Sequence, residues 1–227
     1  MGGMITFKRP DGQLCPAYLA SAMAGANAPG VVLLPEWWGL RDQIKGVADR
    51  LAQEGFQVVL PDLYRGRVAS DAQEAQAMSQ ALNLEDAAMQ DVVGAVLHLK
   101  AFGKRAGVMG YCMGGAIAVV AAARCKDVDA TVCFYGIPNA ELANPAHIQA
   151  PFQGHFASRD TWCTPAAVDA LQVALDATTT RFEIYRYEAD HAFCNETRGP
   201  VFHPVHAATA WRRTVGFLWN GLMDAQD

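Results

Sequence analysis

No stretch limits the possible architectures as strongly as Gly107–Ala123, GVMGYCMGGAIAVVAAA. It opens with a short strand signal, tightens through Gly110-Tyr111-Cys112-Met113-Gly114, and continues as an almost wholly apolar helix signal. A helix that is apolar all round has to be buried all round. In a chain of 227 residues, such a helix belongs against the middle of a sheet. The turn between strand and helix carries Cys112, with a glycine two positions away on each side. That thiol is either a small buried hydrophobe or a reactive group at the tip of a strained turn.

The flanking sequence repeats the strand–helix pattern. Val31–Pro35, Gln57–Pro61, Gly107–Tyr111, Ala130–Tyr135, Phe152–Ala157 and Arg181–Tyr187 read as strands, short and bounded by Gly, Pro or Asp. Ile5–Phe7 and Ala17–Ala20 read as a preceding pair, antiparallel in the simplest arrangement. Leu40, Ile44, Val47, Ala48 and Leu51 recur at helical spacing, and Gly55 ends that helix. Met89, Val92, Val93, Val96 and Leu97 form a second stripe. Thr164-Pro165 reads as a cap followed by proline at the first helical position, with Val168, Leu171 and Leu175 facing inward. Trp211, Val215, Leu218 and Leu222 mark a final helix, and Ser70–Asn83 reads as either a short helix or a mobile flap. The alternation predicts an α/β fold, a mostly parallel central sheet with helices on both faces. Without a visible linker or repeat, residues 1–227 are expected to form a single domain.

Composition narrows the function classes. A formal charge of −5, a pI near 5.6 and the lack of a basic run argue against nucleic-acid binding. No apolar run has membrane-spanning length. The opening MGGMITFKRPDG lacks the apolar core of a secretory signal. Six cysteines (Cys15, Cys112, Cys125, Cys133, Cys163 and Cys194) occur without a CxxC pair, so reduced thiols and a cytoplasmic location are expected. A monomer is expected, with a homodimer as the alternative. Met1–Thr6 matches an N-myristoylation pattern and Asn195-Glu196-Thr197 a glycosylation sequon; both patterns are loose and are set aside.

Open α/β sheets bind ligands outside the carboxyl ends of their strands. Four reactive side chains follow strand signals directly: Glu36, Cys112, Asp160 and His191. Parallel strands bring them to one edge of the sheet. The chain order of nucleophile, acid and histidine is that of the α/β-hydrolase triad, with cysteine in place of serine. His191 can take the thiol proton, and Asp160 can fix the imidazole tautomer and steady its charge. The helix beginning at Met113 aims its N-terminus at the same point. The backbone N–H groups of Met113 and Trp37 are the natural oxyanion donors.

The remaining titratable residues read as structural. Cys125 and Cys133 look like core, and Cys15, before Pro16, like a near-surface residue. Cys163 and Cys194 lie close in sequence to Asp160 and His191, as unreactive cleft neighbours. His98 falls off its apolar stripe and is expected in solvent. His147 reads as a loop residue and His155 as a hydrogen-bonded core histidine. His203 and His206 could pair on a metal, but no third ligand stands at suitable spacing, so no metal site is expected. The tandem Trp37-Trp38 is either plain packing or a pocket wall.

VVLLPEWWGL, VVLPDLYRGR, GVMGYCMGG, HFASRDTWCTP and DHAFCNETR, in this order, resemble the motifs of the dienelactone hydrolases (carboxymethylenebutenolidases) over nearly the whole chain. The resemblance implies an α/β-hydrolase fold and a Cys112–His191–Asp160 triad. It implies that Glu36 contacts the thiol at rest and helps to activate it. It implies hydrolysis of an enol-lactone with no metal or organic cofactor. Trp38, Tyr64, Asn195 and Arg198 fall in or beside these motifs and are candidate substrate-binding residues. The best-known members hold the substrate carboxylate with two arginines. Here the segment Ser70–Asn83 contains no arginine, and the position four residues after His191 is Asn195. Arg65, Arg67 and Arg198 are the nearest replacements. The expected activity is therefore cysteine-dependent hydrolysis of a small activated ester or lactone. Two other classes compete with it: a non-catalytic binding protein on this fold, and a redox-sensing thiol at Cys112 resolved by Cys163 or Cys194.

Overall fold

In the computed structural model, which describes residues 2–101 and 105–223, eight strands form one sheet in the order β1-β2-β4-β3-β5-β6-β7-β8. They are β1 (Gly3–Lys8), β2 (Leu14–Ala20), β3 (Gly30–Leu34), β4 (Gln57–Pro61), β5 (Ala106–Tyr111), β6 (Ala130–Phe134), β7 (Phe152–Ala157) and β8 (Phe182–Tyr187). β2 is antiparallel to β1 and β4, and the other neighbours are parallel. The predicted mostly parallel sheet is the one observed. Met1, which begins the myristoylation pattern, and residues 224–227 of the expected domain lie outside the described residues.

Side chains alternate across the strands and so divide the core. Val31 and Leu33 pack with α1 (Asp42–Gln53) and with the C-terminal helix on one face. Val32 and Leu34 pack with the central helices on the other. Ile44, Val47, Ala48 and Leu51 are the buried stripe of α1, and Gly55 ends it at φ 99°. A Cβ there would also meet the Trp219 ring at 2.8 Å.

Ser70–Asn83 holds a short helix, α2 (Ala72–Ala81), with the Asp71 carboxylate accepting the Glu74 N–H at 2.8 Å as its cap. Ala75 and Met78 are buried against Trp37, Trp38 and Tyr64. The next helix departs from the expected stripe. It starts as α3 (Leu84–Asp86), widens into a π-helical segment over Ala87–Val92, and resumes as α4 (Val93–Lys100). The wider turns rotate the inward face. Ala88, Val92, Ala95, Val96 and Leu99 are buried, Met89 and Val93 are half-buried, and Leu97 is exposed. Asp91 points inward and is met by Arg9 at 3.2 Å and Arg65 at 2.7 Å.

In α5 (Met113–Arg124), Ile117, Ala118, Val119, Val120, Ala121 and Ala122 are all buried, as an all-apolar helix requires. α6 (Pro165–Asp176) begins at the predicted Thr164 cap, whose Oγ1 accepts the Ala167 N–H at 3.3 Å. Val168, Leu171 and Leu175 face inward from it. α7 (Pro204–Leu222) closes the fold, with Leu218 and Leu222 buried and Trp211 and Val215 partly so.

Several single-residue expectations meet a different outcome. Cys15 is fully buried, because alternation along β2 turns it inward with Ala17. His98 is half-buried beside the Phe7 ring (centroids 6.1 Å), not in open solvent. His147 sits in the short 3-10 turn Pro145–His147. His155 is the satisfied core histidine predicted: Nδ1 meets Tyr187 Oη at 2.9 Å and Nε2 meets Gln153 Oε1 at 2.8 Å. Burial lowers its pKa to about 3, so the ring is neutral. His203 and His206 stack at 3.8 Å. Among the described residues no group of three His, Cys, Asp or Glu side chains could hold a metal ion, and no helix is long and apolar enough to cross a membrane.

Candidate active site

Cys112 stands between β5 and α5 at φ 52° and ψ −117°, a conformation that costs energy for any residue with a Cβ. The surroundings hold it there. Its N–H donates to the Phe134 carbonyl at 2.9 Å, and its carbonyl accepts the Ala116 N–H at 3.0 Å. Glycine is required on both sides of the turn. A Cβ on Gly110 would overlap the Gly114 carbonyl, and one on Gly114 would lie 2.6 Å from the Leu34 carbonyl oxygen. The two glycines let the helix start press against β3 and β5.

The loop after β8 carries His191, and the loop after β7 carries Asp160. Asp160 Oδ2 is 2.7 Å from His191 Nδ1, and His191 Nε2 is 3.0 Å from Cys112 Sγ. The other carboxylate oxygen of Asp160 accepts N–H groups from Trp162 at 2.7 Å and Cys163 at 2.9 Å. Burial opposes charge on Asp160, but the bonds from His191 and the two amides outweigh it and lower its pKa. Burial likewise opposes the imidazolium of His191. The hydrogen bonds to Asp160 and Cys112 outweigh that, and the pKa is raised to about 10. The edge of Tyr135 packs on the imidazole, with centroids 5.1 Å apart.

Glu36 follows β3 and is 6% exposed. Its Oε1 accepts from Tyr135 Oη at 3.3 Å and its Oε2 from Asn195 Nδ2 at 2.7 Å. Burial pushes its pKa up, against the pull of the Asn195 bond. Glu36 and Cys112 line one cavity, yet the hydrogen bonds of Glu36 go to Tyr135 and Asn195 while the thiol faces His191. The resting Glu36–thiol contact implied by the resemblance is not the arrangement here. Met113 lies in the first turn of α5, where backbone N–H groups have no intrahelical acceptor. Trp37 lies in the turn after β3, across the same space.

Two cavities meet at Cys112, of about 500 Å³ and about 260 Å³. Of the candidate substrate-binding residues, Arg198 lines the larger one. Trp38 does not line either; it packs under the Arg41 guanidinium, 4.3 Å from its ring centre. Tyr64 contacts the site at one remove, its hydroxyl 3.4 Å from the Met113 sulfur. Asn195 is buried behind Glu36. Arg65 is turned away to Asp91, and Arg67 pairs with Glu74 at 3.7 Å. Cys163 lines the smaller cavity, and Cys194 borders a small void behind Glu36. Trp162, Arg159, Ala72 and Ser79 also line the cavities and were missed from the sequence. Trp162 could have been found, since it lies in the HFASRDTWCTP motif. Ala72 and Ser79 carry no reactive group that would mark them.

The dienelactone hydrolase family profile matches residues 15–221. Protein usf of Aquifex pyrophilus is 31% identical over 230 residues, covering 96% of this chain and 98% of its own. Carboxymethylenebutenolidase of Rhodococcus opacus is 29% identical over 216 residues, covering 88% of this chain and 84% of its own. Among solved structures, the dienelactone hydrolase-like promiscuous phosphotriesterase P91, from metagenomic libraries, superposes with a TM-score of 0.83 at 20% identity, covering 98% of this chain and 99% of that one. With its mostly parallel eight-stranded sheet in the α/β-hydrolase fold, the chain belongs to the dienelactone hydrolase family, hydrolases of ester and lactone bonds.

Proposed function

We propose that this protein hydrolyses an activated ester or lactone through Cys112, with His191 as the proton carrier and Asp160 as its orienter. The observation that carries the reading is the unbroken line from Asp160 Oδ2 through His191 to Cys112 Sγ, at 2.7 and 3.0 Å. His191 Nε2 holds the thiol's proton, so that Sγ attacks the carbonyl carbon as a thiolate. The tetrahedral oxyanion is met by the Met113 and Trp37 N–H groups. Its collapse expels the alkoxide or enolate, which takes the proton back from His191. A water then loses a proton to His191, adds to the thioester carbon, and releases the acid and the thiol. Protein groups and water supply every step. An enol or aryl leaving group suits a thiolate nucleophile, because it departs without strong protonation.

A thiol-switch reading has less support. Cys163 is buried and burial pushes its thiol up, so it is a poor attacking partner. Among the described residues all six cysteines are free, which fits a reducing compartment such as the cytoplasm. The test is a panel of enol-lactones and aryl esters with Cys112→Ala as control, and mass spectrometry of acid-quenched enzyme. Turnover that needs Cys112, with an acyl adduct on its peptide, is expected. A Cys112→Ala protein that keeps most of its turnover would remove the nucleophile.

A further inference from the structure

The two cavities that meet at Cys112 differ in chemistry. The larger wall carries four charged side chains: Glu36, Arg159, Asp190 and Arg198. The smaller wall carries no Asp, Glu, Lys or Arg. Leu84, Met113, Ala116 and Ile137 are among its apolar lining residues. Trp37 and Trp162, edge to face with centroids 5.8 Å apart, stand in both walls and divide the two spaces. α2 spans both, presenting Ala72 to the larger and Ser79 to the smaller, two turns apart on one helix face. The Ser79 hydroxyl already donates to the Gln76 carbonyl at 2.9 Å. α2 therefore brings no cation to either space.

The reacting pair Cys112 and His191 is shared with the larger lobe; a charged group placed in the smaller space away from that pair would lose water and gain no counter-charge, which disfavours it strongly. An apolar group would gain by leaving water. The size fits a ring: a cavity of about 150 Å³ lined by aliphatic side chains admits a benzene, and this one is about 260 Å³. The sulfurs of Met113 and Cys163 add soft, polarisable surface suited to aromatic edges.

We propose that this lobe is a specificity subsite for an uncharged, ring-sized arm of the ester, so that the substrate is two-sided, with its polar arm in the lobe of Arg198. The proposal rests on the reading of Cys112 as the reacting centre. Its test does not need turnover. 1-Naphthol is titrated into the Cys112→Ala protein, with tryptophan fluorescence and calorimetry as readouts. Saturable binding is expected, weakened by about tenfold or more by Ser79→Phe, which fills the lobe from α2. Leu84→Trp serves the same purpose should Ser79→Phe fail to fold. Absence of saturable binding, or equal affinity in filled and unfilled proteins, would overturn the proposal. Filling-sensitive naphthol binding in a protein whose ester turnover does not need Cys112 would sink the catalytic reading while upholding the lobe.

Discussion

Asn195 holds Glu36 with a neutral amide. Asn195 Nδ2 donates to Glu36 Oε2 at 2.7 Å, while Asn195 Oδ1 accepts the Thr197 N–H at 3.0 Å and its hydroxyl at 2.6 Å. The two donors on Oδ1 fix which end of the amide faces the acid. Burial raises the Glu36 pKa above its ordinary 4.5. A group raised in the folded state stabilises most below its unfolded pKa and loses that contribution as pH rises through the folded value. Asn195→Asp sets a second carboxylate against Glu36 and steepens the loss. Its stability deficit against the parent, read by urea denaturation, should widen as pH rises above the ordinary 4.5 of Glu36. A constant deficit would mean that residue 195 does not act on Glu36.

Alkylation should single out Cys112. Cys15, Cys133 and Cys163 are buried, and burial pushes up the thiols of the partly exposed Cys125 and Cys194. Only thiolate reacts with iodoacetamide. Brief labelling followed by peptide mass spectrometry should place the first adduct on Cys112, and His191→Ala should slow it. Faster labelling of Cys125 or Cys194 would count against an activated Cys112.

The triad order predicts losses that differ by residue. His191→Ala should lower turnover by about two to four orders of magnitude, the usual worth of a positioned base. Asp160→Asn should also be costly, by about two orders of magnitude or more. Asp190, the acid next to His191 in sequence, is committed to Arg159 at 3.0 Å. Asp129 bonds Lys100 at 2.9 Å and the Ala106 N–H at the amino end of β5, far from His191 in the sheet, so Asp129→Asn should leave turnover intact. Stopped-flow assays on one aryl ester compare all three. A mild effect at Asp160 would place the orienting acid elsewhere.

Much of this arrangement was legible from sequence for definite reasons. Gln57–Pro61 and Phe152–Ala157 form as read, because Pro, Gly and loop residues bracket short apolar runs. The elbow was visible because an all-apolar helix and two glycines admit few alternatives around Cys112. The π-helical segment was not visible, since a stripe search assumes a constant helical period, and Leu97 was misplaced as a result. Cys15 was misjudged because Pro16 suggests a turn, although β2 continues through it and Pro16 faces Thr6 in the β1 register. The roof supplied by α2 left no trace, because alanine and serine carry no chemistry that a motif reading weighs.

The imidazole should leave a signature in stability. The His191 pKa is raised from 6.5 to about 10, so its contribution is fully present below about 6.5 and is lost as pH rises through about 10. Asp160 shifts the other way: its contribution is present above its ordinary 3.8 and is lost as pH falls through its lowered value. The melting-temperature gap between the parent and His191→Gln should therefore be widest between about pH 4 and pH 6.5 and narrow towards pH 10. A gap that stays constant over that range would mean that His191 is uncharged at neutral pH.

Arg198 decides whether an anionic substrate is possible. Its backbone is pinned in a tight turn, with its N–H on the Asn195 carbonyl at 3.0 Å and its own carbonyl accepting from Val201 at 2.8 Å. The side chain lines the larger cavity beside Glu36. Of the other arginines near the motifs, Arg65 and Arg67 pair outside the cleft, and Arg159 is paired with Asp190. The guanidinium fork of Arg198 can grip a carboxylate by two parallel hydrogen bonds, whereas lysine offers a point charge. Arg198→Lys keeps the charge and loses the fork. Losing one charge-assisted bond corresponds to about 1.5–3 kcal/mol, so KM for a carboxylate-bearing lactone should rise by about tenfold or more. Neutral aryl esters, which give the fork nothing to hold, should keep their KM. Steady-state kinetics on one substrate of each class separates the outcomes. An equal response from both classes would take Arg198 out of substrate binding and point to an ester without charge in either arm.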